Sequence, residues 1–474
     1  MRLVTFKSSG LAQYVVAGFL SLLLAVLVLQ LWRANLHVPL EYKGDALLHC
    51  LLVKSVHDNN WYLDNPRVGM PYGFNFRDFP TPDNFHWLLF RLLFIFVSDW
   101  GLGINLFYIF TFPAITIASL FAMRRLGVSY AAALVGSLLY TFLPYHFYRG
   151  ISHLLLSAYY TVPLISLVII WLCRGEKIIW VEDKTTLAER LKIVWRLRKA
   201  VFTIVLCLLM GGTGAVYYPF FAAFLILVAG LIAWWQWRCW QVWVTPVLLV
   251  GIISASVLVN VAPSLLYARQ YGKLQVQQRQ PEQAETYGLK LAQMLLPIAD
   301  HRLKPFAALQ EAYRENRPLV NENYAVALGL ICGAGFIFLI LRLFRPRKEG
   351  SDGDPEGLLD ILSQLTIASF LLGTIGGIGA LFSFFVSPQI RSYNRISIFI
   401  GFYCFLALAV LFDGWAQRVN RQMFVYVGLA LVLGIGMFDR GSRRRRSKRY
   451  RDVCNQPTAP RAVARPVAKQ ACSR

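Results

Sequence analysis

Residues 200–236 read AVFTIVLCLLMGGTGAVYYPFFAAFLILVAGLIAWWQ, a stretch without a charged residue. About 20 apolar residues cross the roughly 30 Å hydrocarbon core of a membrane as one helix, so this stretch is too long for a single crossing. Its middle segment, GGTGAVYYP at 211–219, supplies the glycines and the proline that break a helix. The stretch therefore predicts two membrane helices joined by a tight turn.

The composition extends this prediction to the whole chain. Apolar residues make up 57% of the sequence, charged residues 15%, and the mean hydropathy is +0.49. Soluble domains carry about 25% charged residues, so residues 1–438 are predicted to form an all-α, polytopic transmembrane helix bundle. No cleavable signal peptide is evident, and the first run is long enough to be a retained anchor. About eleven spans are expected, near 11–32, 103–123, 128–144, 153–173, 200–217, 219–236, 242–263, 323–343, 359–382, 395–412 and 422–438.

Basic residues predict the orientation of these spans. Eight Lys and Arg residues lie in 174–199, and further clusters lie at 124–125 and 342–348. Span parity puts these connections on one side, which the positive-inside rule assigns to the cytoplasm. The long loops 33–102 and 264–322 are then extracytoplasmic. The apolar segment 84–98 within the first loop is too short to span and is typical of an interfacial helix.

The C-terminal segment 439–474 differs in character from the rest of the chain. Residues 440–474 contain twelve Lys or Arg residues and one acid, and so supply +11 of the formal net charge of +23. The tail is expected to be disordered. An odd number of spans places it outside, whereas a polybasic tail is typical of the cytoplasmic side, where it binds anionic lipid. Two interpretations stay open: a cytoplasmic tail with one span fewer or more, or an abnormal or truncated end. The tail lacks interleaved aromatics or a binding fold, so no nucleic-acid partner is predicted.

The first long loop opens with Glu41-Tyr-Lys-Gly-Asp45-Ala-Leu-Leu-His49. If Asp45 starts a helix, its carboxylate caps that helix, and His49 lies one turn away on the same face. Alternatively, Asp45 is a general base at the membrane surface, where it removes a proton from an acceptor hydroxyl or holds a divalent cation against a phosphate. His49 is then a substrate-binding candidate.

Two further acids close the same loop. Asp78 and Asp83 bracket the proline-containing segment FPTP at 79–82, which stiffens the chain between them. They are catalytic candidates if they converge with Asp45 on one site. Asp83 is equally well placed to cap the interfacial helix that begins near Asn84.

Several basic side chains are candidates to bind a phosphate group. Guanidinium groups bind phosphate oxygens in a forked geometry, and charges at membrane helix ends are costly unless they are paired or functional. Anchoring in the headgroup region by snorkelling is the alternative for each of them. The candidates are Arg67 in the first loop, His146 and Arg149 before the fourth span, and Arg391 and Arg395, four residues apart, before the tenth.

Gly44-Asp45 at the start of the first outer loop, the interfacial helix in that loop and the many spans that follow resemble the GT-C class of polytopic glycosyltransferases. The resemblance covers the architecture of about three quarters of the chain. It implies transfer of a sugar from a polyprenyl-phosphate carrier to a lipid or glycan acceptor on the extracytoplasmic face of a membrane, most simply the bacterial inner membrane. It also implies that an acid of the first loop is the base or is linked to a metal, so a divalent cation is a possible cofactor.

Members of that class usually carry a soluble domain after the last span, whereas this chain has only the basic tail. The alternative functions are a lipid-linked sugar flippase or transporter, and a non-catalytic accessory protein. Transporters often show internal repeats and charged groups inside the bundle. No convincing repeat and few mid-span charges are present here, which favours chemistry at one face. The eight cysteines show neither metal-ligand nor disulfide spacing.

Overall fold

A computed structural model describes residues 10–79, 83–176, 178, 187–272, 279–316, 322–345, 355–419 and 421–439. For residues 187–196 and for residue 323 it describes the backbone alone. The basic tail from residue 440 onward lies outside the described residues, as do Lys177, Arg347 and Lys348. The described part is a helical bundle with one short antiparallel hairpin, in which Asp64–Asn65 (β1) pairs with Phe74–Asn75 (β2).

The α-helices follow one another along the chain with short connections between most of them. In the first half they are α1 Gly10–Leu29, α2 Ala46–Asn59, α3 Asn84–Leu93, α4 Trp100–Arg125, α5 Tyr130–Thr141, α6 Pro144–Arg149, α7 Leu154–Ser157, α8 Thr161–Cys173, α9 Leu187–Met210 and α10 Tyr217–Trp237. In the second half they are α11 Val244–Tyr271, α12 Gln283–Thr286, α13 Leu291–Leu295, α14 Lys304–Glu315, α15 Gly329–Arg342, α16 Pro355–Gly373, α17 Ile378–Phe385, α18 Ser397–Ala416 and α19 Gln422–Asp439.

The prediction of an all-α membrane bundle is confirmed. Within the described residues, seven helices are long and apolar enough to cross a membrane: α1, α4, α10, α11, α16, α18 and α19. Four other predicted spans correspond to α5, α8, α9 and α15. Of these, α5, α8 and α15 are only 12–14 residues long, shorter than the about 20 residues that one crossing requires.

The structure divides some predicted spans and lengthens another. Pro144 lacks a backbone N–H and occupies the start of α6, so the apolar run of α5 ends at Thr141. The predicted span 359–382 is broken into α16 and α17 by a turn in which Gly376 has a φ of +67°. Helix α11 continues to Tyr271, past the predicted end at residue 263, so the second long loop is shorter than expected.

The predicted break in 200–236 is present and is shaped by glycine. Helix α9 ends at Met210 and α10 begins at Tyr217. Gly214 between them has a φ of +68°, and a side chain there would collide with the ring of Tyr218. The backbone oxygen of Gly212 accepts a hydrogen bond from the backbone N–H of Phe85 (3.2 Å), which docks the turn onto the start of α3.

The long connections gather at one end of the bundle. We call this end the loop face; it carries the connections α1–α4, α5–α8, α9–α10, α11–α15 and α16–α18, and the end of α19. Direct contacts tie these segments together: Glu41 accepts from the backbone N–H of Ser152 (3.3 Å), and Leu289 forms a β-bridge with Thr374. The opposite face holds the turn between α4 and α5, where Asp413 of α18 accepts from the hydroxyl of Ser129 (2.5 Å).

Two clusters of buried apolar side chains stabilise this arrangement. The larger one joins α5, α8, α10, α15, α16 and α18. Helix α18 is the most deeply placed of these membrane-spanning helices, with 78% of the residues in its most apolar stretch buried. The smaller one lies beneath the loop face, where α2 and α3 pack on α4 around Trp87 and Phe90, both fully buried. The short helices of the first loop are therefore fixed to the membrane bundle, and so are the polar side chains that they carry.

Candidate functional site

Asp45 stands where the sequence predicts the start of a helix, but its carboxylate is not used as a cap. It occupies the N-cap position of α2 in a helical conformation and makes no side-chain capping hydrogen bond. Gly44, with a φ of +53°, turns the chain into the helix just before it. The Asp45 side chain is 73% exposed at the loop face. It therefore remains accessible to a substrate.

Two histidines flank this carboxylate. His153, in the turn before α7, places its Nε2 atom 3.7 Å from Oδ2 of Asp45. His49 lies one turn further along α2, as the spacing predicts, and its Nδ1 atom is 3.2 Å from the backbone oxygen of Asp45. Burial lowers the pKa of His49, although the charges of Asp83, Asp45 and Glu41 act in the opposite direction.

On its other side, His153 faces a network of one acid and two buried arginines. Arg149 of α6 donates from Nη1 to Oε2 of Glu322 at 2.8 Å, and only 2% of its side chain is exposed. Nη2 of Arg395 lies 3.7 Å from the same oxygen. Glu322 stands between them in a left-handed conformation with a φ of +31°. Segments 173 and 73 residues away from Glu322 thus meet at one carboxylate.

Two more arginines, Arg391 and Arg279, extend the positive charge along the loop face. The guanidinium of Arg391 lies 5.1 Å from the ring centroid of Tyr287, and that of Arg395 lies 4.0 Å from the ring centroid of Tyr217. Arg279 donates to the backbone oxygen of Gln389. Burial lowers the pKa of Arg279, and the neighbouring charges of Arg391 and Arg395 lower it further. The hydrogen bond to Gln389 holds Arg279 beside the segment that carries Arg391.

We call the group formed by these residues the loop-face cluster: Asp45, His49, His153, Arg149, Glu322, Arg279, Arg391 and Arg395. Its four guanidinium groups outnumber its two carboxylates, and Glu322 is engaged by Arg149 and Arg395. Among the described residues, no hydrogen-bond acceptor meets the buried Nε atoms of Arg149, Arg391 and Arg395, or Nη2 of Arg149. Buried donors are nearly always satisfied in folded proteins. The cluster is therefore arranged to receive an anionic group.

The charges of the cluster shift the pKa values of its own members. Although burial acts to raise it, Arg149 and Arg395 lower the pKa of Glu322 to about 2. Burial, reinforced by the charges of Arg149 and Arg395, lowers the pKa of His153 to about 3. At neutral pH, Glu322 is therefore a carboxylate and His153 is an uncharged imidazole beside Asp45.

The neutral state of His153 predicts a loss of stability in acid. Its folded-state pKa of about 3 lies below its unfolded value near 6.5, so the unfolded chain binds more protons between these pH values and stability falls as the pH falls. At pH 5 the loss amounts to about 2 kcal/mol. We expect His153 to contribute a drop of about that size to the free energy of unfolding in detergent from pH 7 to pH 5, in addition to the contributions of the other buried histidines. The drop should be smaller in His153→Gln, and an equal drop in both proteins would contradict the prediction. Glu322 stays charged throughout this window.

Asp83 is buried beneath the cluster and is held by the turn between α9 and α10. It occupies the N-cap position of α3, as predicted, yet makes no side-chain cap. Instead its Oδ1 accepts from the backbone N–H of Ala215 at 2.9 Å. Nδ1 of His86 lies 3.4 Å from the same oxygen. Asp83 thus fixes the first loop to the bundle, and its charge acts to raise the pKa of His49.

The remaining predicted residues lie apart from the cluster. Asp78 is half-buried beyond the hairpin, and no described contact joins it to Asp45 or Asp83. Arg67 is 71% exposed and lies 3.6 Å from Asp58. His146 is fully buried, bonded to the hydroxyl of Thr111 (2.8 Å) and stacked on the ring of Phe112. The structure therefore places His146 in the core and not in the cluster.

Glu322, His153 and Arg279 complete the cluster but were not among the sequence candidates. His153 shares the turn 145–153 with His146 and Arg149, so the motif contains it, but spacing alone does not tell which histidine faces the core. Glu322 and Arg279 lie in the second long loop, where no spacing links them to Arg149 or Arg395. Only the folded chain brings these segments together.

No group of three or more His, Cys, Asp or Glu side chains in the described residues is arranged to hold a metal ion. The six described cysteines are free thiols. Comparisons of the chain with protein-family models, with curated proteins and with solved structures give no match.

Proposed function

We propose that the protein is a membrane glycosyltransferase of the GT-C type, which transfers a sugar from a polyprenyl-phosphate carrier to a lipid or glycan acceptor at the loop face. This face is extracytoplasmic in the proposal, in keeping with the basic connections at the opposite face. The loop-face cluster is the site of the reaction. The proposal rests on residues 1–438 and assigns no role to the basic tail.

One observation carries this proposal: buried arginine donors without acceptors lie beside an exposed carboxylate. The Nε atoms of Arg149, Arg391 and Arg395 have no acceptor among the described residues. A carrier phosphate supplies oxygens that guanidinium groups bind through paired hydrogen bonds. The site lies at the end of apolar helices, at the depth where the phosphate of a membrane-bound carrier meets water. A lipid-linked phosphate therefore suits both the charge and the position of the cluster.

In the proposed mechanism, Asp45 and the arginines act at opposite ends of the reacting bond. Asp45 takes the proton from an acceptor hydroxyl while the oxygen of that hydroxyl attacks the anomeric carbon of the sugar. The bond from that carbon to the phosphate oxygen breaks, and the polyprenyl phosphate leaves with both electrons of the bond. Arg149, Arg391 and Arg395 stabilise the negative charge that develops on the leaving phosphate. Neutral His153 lies between the two groups and positions the Asp45 carboxylate.

The proposal is tested with the full-length chain in proteoliposomes that contain radiolabelled hexoses on polyprenyl-phosphate carriers, together with an extract of membrane lipids and glycans as acceptors. We expect labelled product and free polyprenyl phosphate to form in equal amounts. Absence of both, across the common hexoses, would overturn the proposal. Movement of the intact carrier across the bilayer without bond breakage would support the transporter alternative.

Arg391 provides a test of donor binding. Arg391→Ala removes a guanidinium from the proposed phosphate site and leaves the Arg149–Glu322 pair in place. We expect the KM for the donor to rise about tenfold to hundredfold with a smaller change in kcat, as for one charge-assisted hydrogen bond of about 1.5–3 kcal/mol. Initial rates over a range of donor concentrations measure this.

Arg67→Ala is the matched control, since Arg67 lies on the exposed part of the same face, outside the cluster. Its KM for the donor should stay at the wild-type value. Equal KM values for Arg391→Ala and the wild type would remove Arg391 from the phosphate site.

A further inference from the structure

A groove of about 410 Å³ opens in the side of the bundle near the opposite face, away from the loop-face cluster. It lies between α1, α5, α18 and α19. Its lining is polar at one end, where Gln13 and Arg124 lie, and apolar along its length, where Leu134, Val135, Val425 and Leu429 lie. The volume falls within the range of about 300–1,000 Å³ found for small-molecule sites.

The polar end of the groove carries available positive charge. Arg124 is exposed, and its Nη1 donates to the backbone oxygen of Val128 at 2.6 Å, which fixes the guanidinium at the end of α4. A guanidinium has five N–H donors, so others remain for a ligand. Asp413, the acid at the same end, has its two oxygens on the hydroxyl and the backbone N–H of Ser129 (2.5 and 2.6 Å). Asp413 therefore neutralises the charge of Arg124 only in part.

The end of a second helix adds to this charge. Gln422, the first residue of α19, also lines the groove. A helix N-terminus presents unpaired N–H groups and a partial positive charge, which favour an anion. Two independent features thus favour negative charge at the same end of the groove.

The apolar wall points away from that end, into the bundle. Leu429 lies seven residues along α19 from Gln422, and Val135 lies five residues along α5 from Tyr130. At about 1.5 Å per residue, the wall continues for roughly 10 Å below the charged end. Helices α1 and α19 lie at the outside of the bundle, because only 22% and 17% of the residues in their most apolar stretches are buried. The groove between them therefore opens toward the side of the protein.

We propose that this groove binds one anionic phospholipid, with its phosphate at Arg124 and the start of α19 and one acyl chain along Leu134, Val135, Val425 and Leu429. A charged end at the limit of the helices and an apolar wall toward their middle match a lipid within its own leaflet. A soluble anion would leave the apolar wall uncovered. A zwitterionic lipid would bring its own cation, along with its phosphate, to an end of the groove that already holds Arg124 and the start of α19. The site is independent of the proposed transferase chemistry.

The test uses the full-length chain, delipidated in a neutral detergent. Native mass spectrometry counts the lipid that the protein retains after addition of phosphatidylglycerol or phosphatidylcholine, and inorganic phosphate serves as a third arm. We expect one phosphatidylglycerol per chain, bound about tenfold more tightly than phosphatidylcholine, in line with one charge-assisted contact. Inorganic phosphate should not displace it. Equal retention of both lipids, or displacement by phosphate, would overturn the proposal.

Paired variants locate the lipid. Arg124→Gln should abolish the preference for phosphatidylglycerol. Arg125→Gln removes the same charge one residue along the chain. The guanidinium of Arg125 lies 5.1 Å from the ring centroid of Phe121 and does not line the groove, so this variant should keep the preference. Leu134→Trp should fill the groove and prevent retention, whereas Val427→Trp, on an exposed part of α19, should not. Retention by Leu134→Trp, or an equal effect of the two arginine variants, would contradict the assignment. Should Leu134→Trp fail to fold, the arginine pair decides alone.

Discussion

Asp45→Asn is expected to reduce sugar transfer about a thousandfold while the protein still folds and inserts. A positioned general base contributes roughly 10²–10⁴ to a rate, and an amide of the same size cannot accept the proton of the acceptor hydroxyl. Folding should be unaffected because the carboxylate makes no capping hydrogen bond and is 73% exposed. The measurement is kcat for donor turnover in proteoliposomes, with thermal unfolding in detergent as the check on folding.

Asp64→Asn is the matched control for this substitution. Asp64 is another exposed acid of the first loop, but it pairs with Arg77 on the hairpin, away from the loop-face cluster. Its kcat should stay within a few-fold of the wild type. A similar kcat in Asp45→Asn and the wild type would remove Asp45 as the base, even if transfer itself is observed.

The second large effect is expected on stability, at the buried pair of Arg149 and Glu322. Removing one member of a buried ion pair leaves an uncompensated charge and costs about 3–5 kcal/mol. Arg149→Met should therefore lower the free energy of unfolding by about that amount, because Glu322 loses its nearest partner. Glu322→Gln should lower it similarly, because Arg149 loses its carboxylate. The double variant should lose clearly less than the two single losses added together, because Arg149 and Glu322 contact each other directly. Arg395 loses its contact with Glu322 in both variants that lack the carboxylate, so this loss does not alter the comparison. Unfolding by SDS in mixed micelles measures all four proteins.

The exposed pair of Arg77 and Asp64 is the comparison for this cycle. Its side chains are 31% and 58% exposed, so Arg77→Met should cost no more than about 1 kcal/mol. If the losses at Arg149 and Glu322 were simply additive, their contact would not contribute to the fold. The cluster would then lack the rigid frame on which the donor site depends.

The fold could be predicted largely from the sequence because its signals are local. The length of 200–236 and its glycines predict two helices and a break, and helices end at Met210 and begin at Tyr217. The start of α3 at Asn84 is likewise predicted by the residue types around it. Helix lengths were harder to predict. Apolar composition continues through Pro144, whose missing N–H and not its polarity ends the run.

The site could be predicted only in part, since its contacts are long-range. Asp45, Arg149 and Arg395 were identified from their positions at helix ends, and the structure brings them to one face. That Arg149 pairs with Glu322 depends on a contact across 173 residues, which spacing cannot reveal. The choice between His146 and His153 depends on which side of a short helix faces the core. Asp83 illustrates the same limit, because its partner, the N–H of Ala215, belongs to a distant turn.

The end of α19 is held at the loop face. Asp439 lies 3.3 Å from Nε2 of His301 and accepts from the backbone N–H of Leu330 at 2.7 Å. The twelve basic residues of 440–474 are therefore joined to the chain at the face opposite the basic connection 174–199. Basic residues favour the cytoplasmic side of a membrane. The basic tail and the basic connection 174–199 therefore favour opposite orientations of the bundle. Helix α19, in which 17% of the most apolar stretch is buried, is the weakly packed segment that joins the basic tail to the bundle.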